Sequence, residues 1–336
     1  MDEQQIKQLM DDCTLPDTCR NKELKTTHIS WVILTDHYAF KIKRPVQYSF
    51  VDFSTIEKRE YYCHEEIRLN RRLAPEMYLG VLPVTAKMAG LEQEGDKTID
   101  FAVRMQRKDS DKQMDRLMEQ GRVNKDQIDS LVKKIVDFHK SARPIKNVFD
   151  TLGLQKEYED ILTEKEQVKN AFGDSYEDKI KHAVEISSQY LNAIRSYSNE
   201  RVISGFRKDC HGDLNARNIF LYDDPVIFDC IEFNRKFREI DILNEIAFLA
   251  VDFDFFDRSD PGEYFYEKYL EDYGLEDEPK SKTLFIYYKS YRANIRAKVN
   301  LIRSAKDKGD ARAKSLKKAK KYIDLMHRYT QMVDQI

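Results

Sequence analysis

Residues 210–233 constrain this chain more than any other stretch, because they combine a polar turn with a short β-hairpin pattern. Two apolar, β-prone runs lie on either side of Asp223-Asp224-Pro225, which is typical of two strands joined by a turn. Asp213 and Asn218 precede the first run, and Asp229 follows the second. A hairpin brings its outer ends together, so we expect these three side chains to meet at one place.

The oxygen atoms of this set favour chemistry on phosphates. Carboxylate and amide oxygens suit a hard cation such as Mg²⁺, which is usually shared with the phosphates of a substrate. A carboxylate beside such a metal can accept the proton of an attacking hydroxyl. For Asp213 or Asn218 taken singly, an acidic hairpin with a capping Asn explains the pattern equally well.

Length and charge limit the class of protein. A chain of 336 residues is long for one core and indicates two lobes or domains. The formal net charge of −2 gives no global field that attracts nucleic acid or a membrane surface. The sequence contains no apolar run of the ~20 residues that cross a bilayer, and its acidic N-terminus lacks the pattern of a signal peptide. We therefore expect a cytoplasmic protein with no nucleic-acid or membrane partner.

The segment His-Gly-Asp-x-x-x-x-Asn, followed by a strand that ends in Asp, resembles the catalytic segment of the aminoglycoside phosphotransferase family. Within that family the sequence resembles a bacterial group of unknown substrate, on residues 228–233, 240–241 and 247–249. The resemblance implies that Asp213 is the catalytic base and that Asn218 and Asp229 bind Mg²⁺. Several members of that group carry a P-loop kinase domain, which we do not expect here because no Gly-x-x-x-x-Gly-Lys-Ser/Thr occurs.

The resemblance implies a two-lobed, protein-kinase-like α+β fold. Residues 1–106 would form a nucleotide-binding N-lobe, a small antiparallel sheet with one helix. Residues 107–336 would form a mostly helical C-lobe that carries the catalytic loop 210–233. Helices within residues 150–200 would shape the pocket of the phosphate acceptor.

One lysine of the N-lobe would hold the phosphates of the nucleotide. Residues 26–35 and 38–43 are β-branched, aromatic or alternating, which predicts a hairpin. Lys41 and Lys43 share one face of the second strand. The resemblance favours Lys41, with Lys43 as the second choice. An edge-strand lysine that faces water is the ordinary alternative.

A helix predicted over residues 55–73 would supply the acid that orients this lysine. Ser54 or Thr55 is a suitable N-cap. The resemblance favours Glu66 as the partner of Lys41, but one sequence does not separate Glu66 from Glu65. A surface carboxylate paired with an arginine is the commoner fate of either residue.

The segment expected to bind the nucleotide phosphates departs from the usual kinase pattern. The predicted hairpin contains no glycine, although kinases often cover the phosphates with a glycine-rich loop. The hydroxyls, His28, Ser30 and the backbone N–H groups of residues 26–30 would have to take its place. By resemblance, the hinge that contacts adenine lies near Met105 and Gln106.

The function that we predict is transfer of a phosphoryl group from ATP, or GTP, to a hydroxyl of a small molecule, with Mg²⁺ as cofactor. A Ser/Thr protein kinase and a nucleotide-binding pseudokinase with a regulatory role are the alternatives. The identity of the acceptor is open, because antibiotic kinases share only the fold. Asp252, Asp254 and Asp257 could form an acidic pocket for a polycationic acceptor.

Overall fold

A computed structural model describes residues 1–11, 15–85 and 97–335 of the chain. The strands are β1 (Glu23–Thr26), β2 (Ser30–Leu34), β3 (Tyr38–Lys43), β4 (Gln47–Tyr48), β5 (Val51–Asp52), β6 (Tyr78–Thr85), β7 (Thr98–Gln106), β8 (Arg207–Asp209), β9 (Ile219–Phe220), β10 (Val226–Ile227) and β11 (Glu239–Asp241). The helices are α1 (Glu3–Asp11), α2 (Ile56–Asn70), α3 (Met114–Glu119), α4 (Lys125–Ser141), α5 (Thr151–Glu159), α6 (Lys165–Phe172), α7 (Asp174–Ala193), α8 (Arg195–Ile203), α9 (Ile242–Phe255), α10 (Ser259–Tyr273), α11 (Pro279–Lys306) and α12 (Gly309–Asp334).

These elements form two compact units. The first contains Met1–Met114, His211–Asp213 and Arg217–Arg238, and the second contains Asp115–Cys210, Leu214–Ala216 and Glu239–Ile336. The first unit therefore includes most of the predicted catalytic segment. None of the helices in the described ranges is both long and apolar enough to span a membrane.

The first unit is built on an antiparallel sheet with the strand order β1-β2-β3-β7-β6. Alternation along β3 gives the sheet two different faces. Phe40 and Ile42 belong to a core with residues of α1, whereas Ala39 belongs to a core that includes Ile67 of α2. Because β3 lies in the middle of the sheet, neither of its lysines is on an edge strand.

The continuous strand predicted over residues 26–35 is wrong, because a turn separates β1 from β2. The hydroxyl of Thr27 accepts hydrogen bonds from the backbone N–H groups of Ile29 at 3.3 Å and Ser30 at 2.9 Å. The N–H of Thr27 donates to the carbonyl of Ser30 at 2.8 Å. A side chain that satisfies two backbone donors stabilises a turn against an extended strand.

The second unit is almost entirely helical, and α9 is its most buried element. The aspartate before this helix, Asp241, accepts a hydrogen bond from the N–H of Leu243 at 2.8 Å and so caps it. Arg201 binds the same carboxylate through two nitrogens, at 2.6 and 2.9 Å. The predicted helices within residues 150–200 are present as α5 to α8.

Candidate active site

The turn at residues 211–213 depends on a glycine. Gly212 has φ of +88°, and a Cβ there would lie 2.8 Å from the carbonyl oxygen of Phe237. The backbone N–H of Asp213 donates to Nδ1 of His211 at 3.2 Å. The other ring nitrogen of His211 donates to the carbonyl of Phe228 at 2.9 Å. His211 thus ties the turn to the end of the hairpin.

Asn218 fixes the side chain of Asp213. Its Nδ2 donates to Oδ2 of Asp213 at 2.8 Å and to the backbone carbonyl of Asp213 at 3.0 Å. The carbonyl of Asn218 accepts from the N–H of Phe228 at 3.0 Å, directly beside the pairing of β9 with β10. The hairpin predicted from the sequence is therefore present. It places Asn218 in contact with Phe228, the residue directly before Asp229.

Asp229 has an unusual backbone conformation for a residue that is not glycine, with φ of +64°. Its N–H donates to the hydroxyl of Tyr78 at 3.1 Å, and the next N–H, of Cys230, donates to Oδ1 of Asn70 at 2.8 Å. These two contacts hold the backbone in place. The Asp229 side chain is 43% exposed, so it can reach a ligand.

Lys41 lies between two carboxylates. Its Nζ is 2.8 Å from Oε1 of Glu66 and 2.6 Å from Oδ1 of Asp229. Glu65 faces away and pairs with Arg68 through two hydrogen bonds of 2.8 Å. Of the two acids that the sequence left open, Glu66 is the one in contact with Lys41.

Lys43 forms a second pair that the sequence analysis did not predict. Its Nζ is 2.8 Å from Oε2 of Glu66 and also contacts Oε1 of Glu232. Lys43 and Glu66 are fully buried, and the side chain of Glu232 is 4% exposed. Glu232 has no local signal in the sequence other than its position three residues after Asp229.

Charge pairing decides the ionisation of these groups. Burial opposes the charged form of Lys41, but Asp229 and Glu66 outweigh it and raise the pKa of the lysine well above its ordinary value. Burial likewise opposes ionisation of Asp229, but the Lys41 ammonium lowers the pKa of this carboxyl overall. The site therefore holds a charged lysine and an ionised Asp229 at neutral pH.

The donor atoms fit a magnesium ion that is shared with phosphates. Nδ2 of Asn218 donates to Asp213, so Oδ1 of Asn218 points away from Asp213. Oδ1 of Asp229 accepts a hydrogen bond from Lys41. One amide oxygen and one carboxylate suit Mg²⁺, which keeps several ligands from water and substrate. In the described ranges, no group of three or more His, Cys, Asp or Glu side chains could hold a metal.

The structure also shows where the residues predicted to bind the nucleotide lie. Ser30 is buried, and its hydroxyl makes no hydrogen bond to the described residues. His28 is exposed at the turn between β1 and β2. Met105 and Gln106 lie inside β7, and the N–H of Gln106 donates to the carbonyl of Met77 at 2.8 Å. This N–H is therefore already bonded within the first unit, and the contact of Met105 and Gln106 with adenine stays a prediction.

In the second unit, Asp252 contacts Ala216, a contact that the sequence analysis did not predict. Its Oδ2 accepts from the N–H of Ala216 at 2.8 Å, and its Oδ1 lies 3.2 Å from Arg296. Asp254 is also buried and pairs with Lys289 at 2.6 Å. The prediction that Asp252, Asp254 and Asp257 form an acidic pocket is therefore wrong. Asp252 and Asp254 are buried and paired with Arg296 and Lys289.

His211 makes the stability of the fold depend on pH. Burial lowers its pKa to about 4, from an ordinary value near 6.5. Between these values the unfolded chain binds a proton that the folded chain does not, so stability falls as pH falls. The wild type should lose about 2 kcal/mol of unfolding free energy between pH 6.5 and 4.5 because of His211. We expect His211→Gln to lack this part of the loss. Urea unfolding at both pH values measures this difference.

The control for this prediction is His64→Gln, at an exposed position of α2. It should leave the pH dependence of unfolding as in the wild type. An unchanged pH dependence in His211→Gln would show that His211 is protonated alike in the folded and unfolded states.

No protein-family model matches this sequence. Uncharacterized proteins of Mycobacterium bovis and Mycobacterium tuberculosis are 30% identical over 301 residues, which is 88% of this chain and 58% of each relative. The chain thus spans less than two thirds of the length of these curated relatives.

Solved structures resemble this chain over nearly its whole length. A choline/ethanolamine kinase family protein from Mesorhizobium loti has a TM-score of 0.55 and 13% identity, covering 98% of this chain and 99% of that chain. The GDP and kanamycin complex of APH(2″)-IIIa has a TM-score of 0.54 and 13% identity, covering 94% and 98%. The GDP complex of aminoglycoside 2′-phosphotransferase-IIIa has a TM-score of 0.54 and 14% identity, covering 95% and 97%. The two-lobed, protein-kinase-like α+β fold predicted from the sequence is confirmed.

Proposed function

We propose that the chain is a Mg²⁺-dependent phosphotransferase that transfers the γ-phosphoryl group of ATP or GTP to a hydroxyl of a small molecule. One observation carries this proposal: a single unit holds Asp213 fixed by Asn218, and Lys41 between Glu66 and Asp229. Phosphoryl transfer needs a fixed cation, oxygen ligands for a metal and a base for the acceptor. The solved structures of this fold include a complex with GDP and kanamycin, which supports a small hydroxylated acceptor.

In this mechanism Asp213 accepts the proton of the acceptor hydroxyl while the hydroxyl oxygen bonds to the γ-phosphorus. The bond from the γ-phosphorus to the bridging oxygen breaks, and the nucleoside diphosphate leaves with the electron pair. Lys41 donates hydrogen bonds to phosphate oxygens, which replace Asp229 as its partner. Mg²⁺ bound by Asn218 and Asp229 would neutralise phosphate charge. Positioning and charge neutralisation supply most of the rate enhancement in such reactions.

Selection of the acceptor belongs, in this proposal, to the helices α5 to α8 of the second unit. The fold alone does not determine the acceptor, because related folds serve several substrates. A sugar, an amino alcohol or another hydroxylated metabolite is the class that we would screen.

A nucleotide-binding pseudokinase is the second candidate, and one observation favours it. The N–H groups of Ile29 and Ser30, in the turn where a glycine-rich loop would cover the phosphates, already donate to the hydroxyl of Thr27. A protein without transfer activity would bind nucleotide but would not turn it over. Metal-dependent hydrolysis or transfer in the presence of an acceptor panel separates the two functions.

The first test is a thermal-shift titration with ATP and with GTP, each with and without Mg²⁺. A ligand that binds only the folded state raises the melting temperature by mass action. We expect a Mg²⁺-dependent rise for the wild type and its loss in Asp229→Asn. Asparagine tolerates the positive φ at this position, so the variant removes the charge with little backbone strain.

The matched control is Asp223→Asn, which makes the same change in charge at the exposed tip of the β9–β10 hairpin. It should behave as the wild type. If no nucleotide shifts the melting temperature of the wild type, the proposed function is wrong.

A further inference from the structure

A chain of five ionisable side chains, alternately acidic and basic, runs through the first unit from a buried end to an exposed end. In order, it consists of Glu232, Lys43, Glu66, Lys41 and Asp229. At one end, Asp229 is 43% exposed and Lys41 is 12% exposed, so these two can meet a ligand. At the other end, Lys43 and Glu232 are shut off from solvent, so they cannot bind nucleotide directly.

Lys43 determines how the Glu66 carboxylate is turned. Glu66 uses one oxygen for each lysine, Oε1 for Lys41 and Oε2 for Lys43, both at 2.8 Å. Each oxygen of the carboxylate thus faces one cation, and without Lys43 only the contact of Oε1 with Lys41 would remain. Lys43 therefore lies between two carboxylates, those of Glu66 and Glu232.

The same pair ties two parts of the site together. Lys41 and Lys43 are two residues apart on β3, and Asp229 and Glu232 are three residues apart after β10. The contacts of Lys41 with Asp229 and of Lys43 with Glu232 therefore join the same two segments twice. If phosphates drew Lys41 away from Asp229, the contact of Lys43 with Glu232 would still join the two segments.

Resting on the proposed phosphotransferase function, we propose that Lys43 and Glu232 are positioning residues that set Glu66, and through it Lys41, for the nucleotide phosphates. A merely structural pair would stabilise the unit without affecting nucleotide affinity. Replacing a buried ion pair by apolar residues of similar size is often neutral or stabilising. The double variant Lys43→Met/Glu232→Met therefore removes both side-chain charges without substituting Lys41, Glu66 or Asp229.

The experiment measures the melting temperature and the affinity for Mg²⁺-ATP of the wild type and the double variant. We expect the double variant to fold and to bind Mg²⁺-ATP at least about tenfold more weakly, which corresponds to about 1.4 kcal/mol. With an active acceptor, the KM for nucleotide should rise more than the KM for the acceptor. Wild-type affinity in the folded double variant would overturn the proposal.

A second variant, Glu232→Gln, keeps a hydrogen-bond acceptor for Lys43. It replaces the double variant in the binding experiment if the double variant does not fold. It should also bind Mg²⁺-ATP more weakly than the wild type, and unchanged binding would overturn the proposal. The control Arg201→Met/Asp241→Asn removes a buried pair of the second unit while asparagine keeps the helix cap. It should bind as the wild type. A wild type that binds no nucleotide overturns the proposed function itself, a result visible before any variant is compared.

Discussion

Asp213→Asn is expected to lower phosphoryl transfer by about a thousandfold and to leave Mg²⁺-nucleotide binding unchanged. A general base contributes on the order of 10²–10⁴ to a rate, and asparagine cannot accept the proton of the acceptor hydroxyl. The amide oxygen of the new side chain can still accept the hydrogen bond that Asn218 donates to Asp213 at 2.8 Å. The geometry of the turn should therefore survive while the chemistry is lost.

Two measurements on one preparation check this expectation. Single-turnover transfer to an acceptor gives the rate, and the thermal shift with Mg²⁺-ATP gives the binding. Asp223→Asn, the exposed hairpin variant, controls for the change in charge. Transfer at the wild-type rate by Asp213→Asn would mean that another group takes the proton.

Lys41→Met is expected to lower kcat/KM for the nucleotide by about 10²–10³, the magnitude typical of removing one preorganised hydrogen-bond donor from an active site. The variant takes away the hydrogen-bond donor for the phosphates. It also leaves the carboxylates of Glu66 and Asp229 without the cation that lies within 2.8 Å of both. Lys43 remains beside Glu66 but is fully buried and cannot replace Lys41 at the phosphates.

The pH dependence of Lys41→Met provides a second signature. Lys41 lowers the pKa of the Asp229 carboxyl against the effect of burial, so its removal should raise that pKa. The ionised form of Asp229 would then be lost at a higher pH as the pH falls. We expect Mg²⁺-dependent nucleotide binding to disappear at a higher pH in Lys41→Met than in the wild type.

The control for Lys41→Met is Lys25→Met, which removes a lysine that is 52% exposed on β1 of the same sheet. It should leave both kcat/KM and the pH profile as in the wild type. Equal losses in the two variants would indicate a general effect of charge rather than a role of Lys41 in the site.

Part of the candidate site was predictable because its residues lie close together along the chain, within residues 210–233. Asp213 and Asn218 are five residues apart, so one turn brings them into contact. The β9–β10 hairpin then returns the chain so that Asp229 directly follows the residue bonded to Asn218. A local pattern of turn and strand residues is enough to predict such a juxtaposition.

The choice between Glu65 and Glu66 needed the tertiary structure. Both residues are on α2, and either could face the sheet in a helix whose polar residues are spread around its axis. Packing of α2 on the sheet buries Glu66 and leaves Glu65 to pair with Arg68. The turn at Thr27 was missed for a related reason, because a hydroxyl that bonds backbone N–H groups leaves no mark in the apolar pattern.

By itself the sequence determined the hairpin with its three polar side chains and the two neighbouring lysines on one strand face, whereas the α+β class followed from the family resemblance. These features depend on residues that are close together in the chain, where spacing fixes geometry. Only the tertiary structure decided that Lys41 meets Asp229, and that Lys43 meets Glu232, across separations of more than 180 residues. Burying such charges is costly unless partners meet in the folded chain, and a pattern of apolar and polar residues does not reveal where partners from distant segments come together.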